Sequence, residues 1–422
     1  MEARQLSSAR AHRSRLLLAL VHADERDGSD AAAGAQSVMG LLRRTLHRLP
    51  RPVRRLLAWI PGASRVARST TGRPGGPAPG SGTLRPVVYL PTWVQWSSMK
   101  QRPQYLLAAF ARAGHPVFFV DTRATSPYDV DGVRVVPSLS HVPAANVILY
   151  VHFAPIRELF ERFDDTVVVY DLLDDLSIYE ADEQGMPEHR RVRAHHPALV
   201  RSAAAVIASS EVLAEGHRHE RPDILLVENG VEIDRFGRPQ GRPPEVPAGT
   251  PVVGYHGAIA RWFDVELFTR VATANPQWRF VLVGPVAPEM REAIDRLGAA
   301  ENVLVVGEQS SDRIPGYVQA FDVGAIWFRV DDLTKAVSPL KMYEYLAAGV
   351  PVVATPLPAC VATPGVRVAA TPEDMSRAIA EALEEPAELE QDRLATARAA
   401  SWDRRLRPLL DRLDDLQLRV VP

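Results

Sequence analysis

From residue 84 onward the chain alternates short, apolar, β-branched runs with helix-like stretches, and the rhythm hardly stops before the C-terminus. The first half holds the strand-like runs Val87 to Leu90, Val117 to Asp121, Val147 to Phe153, Val167 to Asp171, Ala205 to Ser209 and Ile224 to Val227, with Arg102 to Ala113 and Pro155 to Phe163 helix-like between them. Apolar runs without in/out alternation suit strands covered on both faces, and parallel pairing needs a crossover, usually a helix. The stretch GRPQGRPPEVPAGTP, residues 237 to 251, interrupts the pattern with proline and glycine and reads as an interdomain hinge. A second alternation follows, with strands Val252 to His256, Phe280 to Val283, Val303 to Val306, Val323 to Trp327 and Val350 to Ala354, and helices such as Asp264 to Ala274 and Pro288 to Leu297. The expected class is α/β: two Rossmann-like, doubly wound domains facing each other across a cleft, with ligands beyond the carboxyl ends of the strands. The expected divisions are 1–83 as leader and linker, 84–236 as the first domain, 237–250 as hinge, 251–400 as the second domain and 401–422 as a terminal helix.

Within the second domain, SPLKMYEYLAAGVPVVATP at 338–356 reads as a helix opening with an anion site and closing into a buried strand. Ser338 suits the N-cap and Pro339 the first helical position. Lys341 and Glu344 share one face, one to two turns from an N-terminus whose free amides and dipole favour phosphate. A cation beside phosphates and a carboxylate able to accept sugar hydroxyls would grip a nucleotide-sugar; the bland alternative is a surface ion pair. Gly349 then stops the helix. Neither half contains G-x-G-x-x-G or G-x-x-x-x-G-K-[ST], so neither a dinucleotide fingerprint nor a P-loop is present.

At 422 residues and 46% hydrophobic content the chain can bury two ordinary cores. Its single cysteine, Cys360, allows no internal disulfide and no thiolate cluster, which fits a reducing cytoplasm, and its 12 histidines show no H-E-x-x-H spacing. The longest apolar run near the start, Leu16 to Val21, is too short to span a bilayer. The net charge of −2 is uneven: residues 39–83 carry nine arginines and no acid, residues 1–38 balance, and the remainder is left at −11. An acidic body argues against a nucleic-acid partner. Residues 1–38 read as disordered, or as preceding a true start at Met39. The segment 39–68 mixes leucines, Trp59 and Ile60 with arginine pairs, as a helix on an anionic membrane surface would, although Pro50 and Pro52 divide it; a floppy basic leader or a helix packed on the acidic body is the alternative. Residues 69–83 are a linker.

With these motifs the chain resembles glycosyltransferases of the GT-B fold, family 4 or group 1 type, in a subgroup like the teichuronic acid transferases. The resemblance covers roughly 85 to 415 and rests on SPLKMYEYLAAGVPVVATP, on GYHGAIARWFDVELFTRVATANPQWRFVLVGP at 254–285, and on QRPQYLLAAFARAGHPVFFVD, YDLLDD and ENGVEIDRF at 101–121, 170–175 and 228–236. It implies that 251–400 binds a nucleoside diphosphate sugar as donor substrate, with Ser338 and Lys341 at the diphosphate and Glu344 on ribose hydroxyls. Gly257, Ala258 and Ile259, in the loop after the first strand of that domain, would approach the phosphates, an ordinary turn being the alternative for Gly257, and Arg261 is either a further phosphate ligand or a solvated arginine. The first domain would take the acceptor, and the 401–422 helix, anchored by Trp402, would cross back onto it. Many members carry two glutamates with seven residues between them; the first falls at 336, which here is Ala336.

His152, ending the strand NVILYVHF, stands where members present a histidine to the donor sugar, with a structural histidine as the plainer reading. Asp174 and Asp175 would reach the same cleft to orient or deprotonate an acceptor hydroxyl, or else one merely caps a helix. Trp93, Gln95, Trp96, Arg102 and Gln104 stand where a sugar would enter, although tryptophans also pack in cores. No metal and no separate cofactor is expected, because this fold relies on cations and a helix dipole to stabilise the leaving diphosphate. The resulting expectation is a cytoplasmic enzyme, peripheral at the inner face of the cell membrane if the arm binds it, moving a sugar with retention to a lipid-linked or cell-envelope glycan acceptor. A catalytically silent nucleotide- or glycan-binding partner subunit and a nucleotide-sugar epimerase are the alternatives on the same scaffold.

Overall fold

The computed structural model describes residues 73–76, 84–92, 94–176 and 187–416. The basic arm 39–68 and Trp93 lie outside them. The first sheet has eight strands in the order β3-β4-β2-β1-β5-β6-β7-β8: β1 Val87–Tyr89, β2 Val117–Val120, β3 Tyr128–Val130, β4 Val133–Val136, β5 Ala145–Val151, β6 Asp164–Leu172, β7 Ala205–Ala208 and β8 Leu225–Leu226. All neighbours pair parallel except β3 with β4. That hairpin turns on Asp131 and Gly132, both at positive φ (52° and 77°), the two-residue geometry Asp-Gly favours. Chain order reverses between β1 and β5, so the crevice of this domain opens at their carboxyl ends.

The second sheet runs β11-β10-β9-β12-β13-β14, from β9 Val252–His256, β10 Arg279–Val283, β11 Val303–Gly307, β12 Val323–Ile326, β13 Val352–Ala354 and β14 Val366–Val368, parallel throughout. Its reversal lies between β9 and β12. The two expected doubly wound halves are therefore present, each with strands buried between helix layers.

Three segments differ from their sequence reading. Residues Ala154–Arg162 form 3-10 turns where an α-helix was expected. Residues 237–250 do not span freely between domains but lie on the second one: Gln319 donates to the Phe236 and Arg238 carbonyls (2.6 and 2.7 Å), Arg313 pairs with Glu245 (2.8 Å), and Val246 joins that core. The crossing occurs earlier, where Val231 bridges to Ser401 and its N–H donates to the Ala400 carbonyl at 3.0 Å. Gly230 is required there, since a Cβ would stand 2.7 Å from the Ala400 oxygen. Lastly, the helix after Ser338 begins one residue late, at Leu340–Ala347, with Pro339 in the capping position.

Past this crossing, the helix Trp402–Asp415 packs on the first domain. Its buried residues, Trp402, Leu406, Leu409 and Leu413, recur at helical spacing and belong to the first domain's core; Trp402 stacks on Tyr105 with centroids 5.4 Å apart.

Candidate functional site

Both sheets point their carboxyl ends at a cavity of about 520 Å³, a size that suits a small-molecule ligand. Its floor is the strand ends of the second domain. After β9 and β10 the chain turns at Gly257 and Gly284, with φ of +118° and +145°. A Cβ on Gly284 would lie 2.1 Å from the Gly257 oxygen, and one on Gly257 would stand 3.1 Å from Lys341 Cε. The pair thus keeps bare backbone beneath a lysine. Tyr255 Oη and Trp262 Nε1 both donate to the Ala258 carbonyl (2.9 and 3.2 Å), and Asp264 caps the following helix Val265–Ala274 through the Leu267 N–H (3.0 Å), which fixes the 257–264 loop.

Lys341 projects from the first turn of the helix Leu340–Ala347 into this floor. Its Nζ lies 5.0 Å from the Tyr255 ring centroid and 4.6 Å from that of Phe328. No ion-pair partner for it is found among the described residues. Burial lowers its pKa to about 8, Glu344 and Cys360 opposing the shift. The result is a cation held by ring faces and left without a carboxylate of its own. Two residues before the helix, Ser338 is buried and lines the cavity, with its Oγ beside the Tyr343 hydroxyl; the serine expected as an N-cap caps nothing.

Glu344, a turn after Lys341, is buried. Burial pushes its pKa up, but His256, Arg235 and Lys341 outweigh this and the carboxylate ends below its ordinary range. His256 Nε2 stands 3.0 Å from Glu344 Oε2 without hydrogen-bond alignment, and Tyr105 Oη from the first domain approaches Oε1 at 3.5 Å. Sequence reasoning did not single out His256, Tyr105 or Arg235; a strand-end position was the only signal for His256.

Of the expected residues, the cavity brings together Arg102, Asp174, Gly257, Ala258, Arg261, Ser338, Lys341 and Glu344. Arg261 is exposed and unpaired among the described residues, on the opposite side from Asp174 of the first domain, whose charge it partly offsets. The surrounding walls and the neighbours Asp171 and Asp175 raise the Asp174 pKa, although its carboxylate opens to the cleft. Asp175 and His152 do not line the cavity. His152 is buried against Tyr89, stacked at 5.6 Å with Nε2 2.9 Å from its hydroxyl, and desolvation lowers its pKa to about 4. Such a ring is neutral at pH 7. Trp96 packs edge-on against Phe119 in the core, at 5.3 Å, instead of facing a sugar.

Arg102, which lines the cavity where a sugar contact was expected, is also engaged in a buried ion pair. It is 1% exposed and grips the Asp171 carboxylate at 2.8 to 3.1 Å, while Tyr150 donates to the same carboxylate. Its Nη1 donates to Asn229 Oδ1 at 3.2 Å. Among the described residues no group of three or more His, Cys, Asp or Glu side chains is placed to hold a metal, and no helix is long and apolar enough to cross a membrane.

Residues 250–386 match the family of group 1 glycosyl transferases. The chain is 29% identical over 204 residues to a putative teichuronic acid biosynthesis glycosyltransferase, TuaH, of Bacillus subtilis, covering 45% of this chain and 51% of that one. It is 32% identical over 155 residues to the 2-deoxystreptamine N-acetyl-D-glucosaminyltransferase of Streptomyces fradiae, covering 32% and 36%. The chain thus spans about half, or less, of the curated relatives it matches. Among solved structures, sucrose-phosphate synthase from Thermosynechococcus elongatus superposes with a TM-score of 0.60 at 16% identity, covering 79% of this chain and 99% of that one. Anabaena HepE in complex with UDP-glucose does so at 0.55 and 17%, covering 78% and 99%. The fold is GT-B, and the resemblance drawn from the motifs holds.

Proposed function

We propose that this chain, whose residues 250–386 belong to the group 1 glycosyl transferases, moves a sugar from a nucleoside diphosphate donor to a hydroxyl of an acceptor glycan. The observation that carries this reading is the unpaired Lys341 ammonium, facing bare glycine backbone at a helix N-terminus inside the cavity. A diphosphate supplies the charge that Lys341 lacks. As the sugar–phosphate bond breaks, negative charge grows on the diphosphate, and a cation already in place stabilises it without reorganising. Glu344, ionised and buried, accepts hydroxyls of the nucleoside. Asp174, with its raised pKa, is the cleft carboxylate suited to orient the acceptor hydroxyl and take its proton. Retention of configuration and a lipid-linked or cell-envelope acceptor complete the proposal. The acceptor reading is supported by the basic, leucine-rich 39–68 segment and by the teichuronic acid relative. Removal of residues 1–83 should reduce co-sedimentation with anionic vesicles; unchanged sedimentation would end the membrane part of the reading.

A thermal-shift screen against UDP, GDP, ADP, dTDP and their sugar conjugates tests the donor site. A ligand at about a hundred times its dissociation constant should add about 2.7 kcal/mol of stability. One nucleotide giving a shift that vanishes in Lys341→Ala supports the assignment, and no shift with any of them overturns it. A catalytically silent binding subunit is the second reading, favoured by Ala336, which is buried against the first domain's core instead of offering a carboxylate to the cavity. Binding without turnover over the same donors would select it.

The pH dependence of donor binding follows from Lys341. Its ligand-free pKa is about 8, and a bound diphosphate favours the charged form, so the bound pKa is higher. Affinity is then fully developed below about pH 8. It falls as pH rises between the two values, by up to about tenfold per unit. Titration calorimetry from pH 7 to 10 should show this loss in the wild type and a flat profile in Lys341→Ala.

A further inference from the structure

The loop that leads into the Leu340–Ala347 helix is held from the other domain. Two of its carbonyls, two residues apart, accept hydrogen bonds from first-domain side chains: Ala336 from Ser210 Oγ at 2.6 Å and Ser338 from Asn229 Nδ2 at 2.5 Å. Asn229 is 6% exposed and uses both ends of its amide, since its Oδ1 accepts from Arg102 Nη1 at 3.2 Å. Arg102 in turn is fixed by Asp171, which Tyr150 also engages. A continuous buried path therefore runs from strand β6 through Arg102 and Asn229 to the backbone of Ser338.

A buried ion pair is weak support for stability by itself, because desolvation offsets its attraction. A fixed pair does orient what it touches. Here its free donor orients an amide, and the amide holds the backbone of Ser338, which lines the cavity two residues before the donor helix. Asn229 also lies beside the crossing: Glu228 pairs with Arg405 at 2.6 Å, and Gly230 and Val231 lie against Ala400. Displacement of one domain against the other would load this amide directly.

We propose that Asn229 is a positioning residue that latches the entrance of the donor helix to the first domain, so that the diphosphate site is fully formed only while the two domains are docked. This rests on the donor reading of the cavity. Because linkage is reciprocal, a diphosphate held by Ser338 and Lys341 also tightens the latch, and the acceptor side is ordered by donor binding.

Asn229→Asp separates the two ends of the amide. The carboxylate keeps, and strengthens, the contact with Arg102, but it cannot donate to Ser338 and sets two acceptors face to face. Hydrogen exchange of the ligand-free protein, read on peptides covering 335–345, should rise roughly fivefold in the variant, as expected for the loss of one hydrogen bond, while β9 to β13 exchange as in the wild type. The dissociation constant for UDP should rise by a similar factor, and its binding should protect 335–345 less. Asn229→Ala, which removes the same donor without adding a charge, provides the same test if Asn229→Asp does not fold. Unchanged exchange at 335–345 in a folded variant overturns the latch. Faster exchange with UDP binding undiminished overturns its coupling to the donor site. Faster exchange in a protein whose wild type binds no nucleoside diphosphate leaves the latch standing and overturns the donor reading instead.

Discussion

Lys341→Ala should lower kcat by about 10²- to 10³-fold, on the order of 2.7–4 kcal/mol, by analogy with the loss of one preorganised donor at a developing oxyanion. The protein itself should remain folded. Alanine forfeits the contacts with Tyr255 and Phe328 but also relieves a partly buried ammonium whose pKa burial has depressed, and these effects oppose each other. Lys341→Arg should not restore activity. The ammonium sits between two ring faces and 3.3 Å from where a Cβ of Gly257 would be, a compact point charge that a longer, planar guanidinium does not reproduce. Steady-state rates with a donor identified by the thermal-shift screen check both variants. An alanine variant of near wild-type kcat would remove Lys341 from the mechanism.

Asp171→Ala should have the largest effect on stability. Arg102 would be left charged and 1% exposed, keeping its contacts with Asn229 and the Tyr150 hydroxyl but no carboxylate, and removing one partner of such a pair costs about 3–5 kcal/mol. For a domain of this size that corresponds to a fall in Tm on the order of 10 °C. Replacing the pair together, Asp171→Leu with Arg102→Met, should recover most of the loss, since the penalty belongs to the orphaned charge and not to the missing attraction. Calorimetry of the single and double variants separates the two contributions. Equal losses in both would show that the pair itself is strongly stabilising.

The architecture was largely readable because parallel strands announce themselves: Val87–Tyr89 and Val252–His256 are apolar at nearly every position, as burial on both faces demands. Strands with an exposed face were not seen. The hairpin partner Tyr128–Val130 and the edge strand Val366–Val368 carry polar residues and are only three residues long. The 237–250 stretch misled for a physical reason, since proline and glycine signal the absence of regular structure but not freedom; Glu245 and Val246 are anchored by residues some seventy positions away in sequence. In the site, Lys341, Glu344 and Gly257 were legible from local rules of helix termini and strand ends. Arg102 with Asp171 and Asn229 was not, because these contacts join residues 69 and 127 positions apart and no local pattern marks them. His152 shows the converse: a strand-end position is easily read, but whether the side chain turns to the cleft or back to Tyr89 is decided by packing.

The return of the Trp402–Asp415 helix to the first domain has a consequence for how the chain is made. During synthesis, residues 231–400 can close into their sheet as soon as they emerge, whereas the domain that emerged before them still lacks Trp402, Leu406, Leu409 and Leu413. The usual order, in which the N-terminal domain matures first, is therefore expected to reverse. The earlier half should wait on the ribosome with the bed of its last helix open, a stage at which chaperones would find their surface, and pulse proteolysis of stalled nascent chains should show 84–230 becoming resistant only after residue 415 has cleared the exit tunnel.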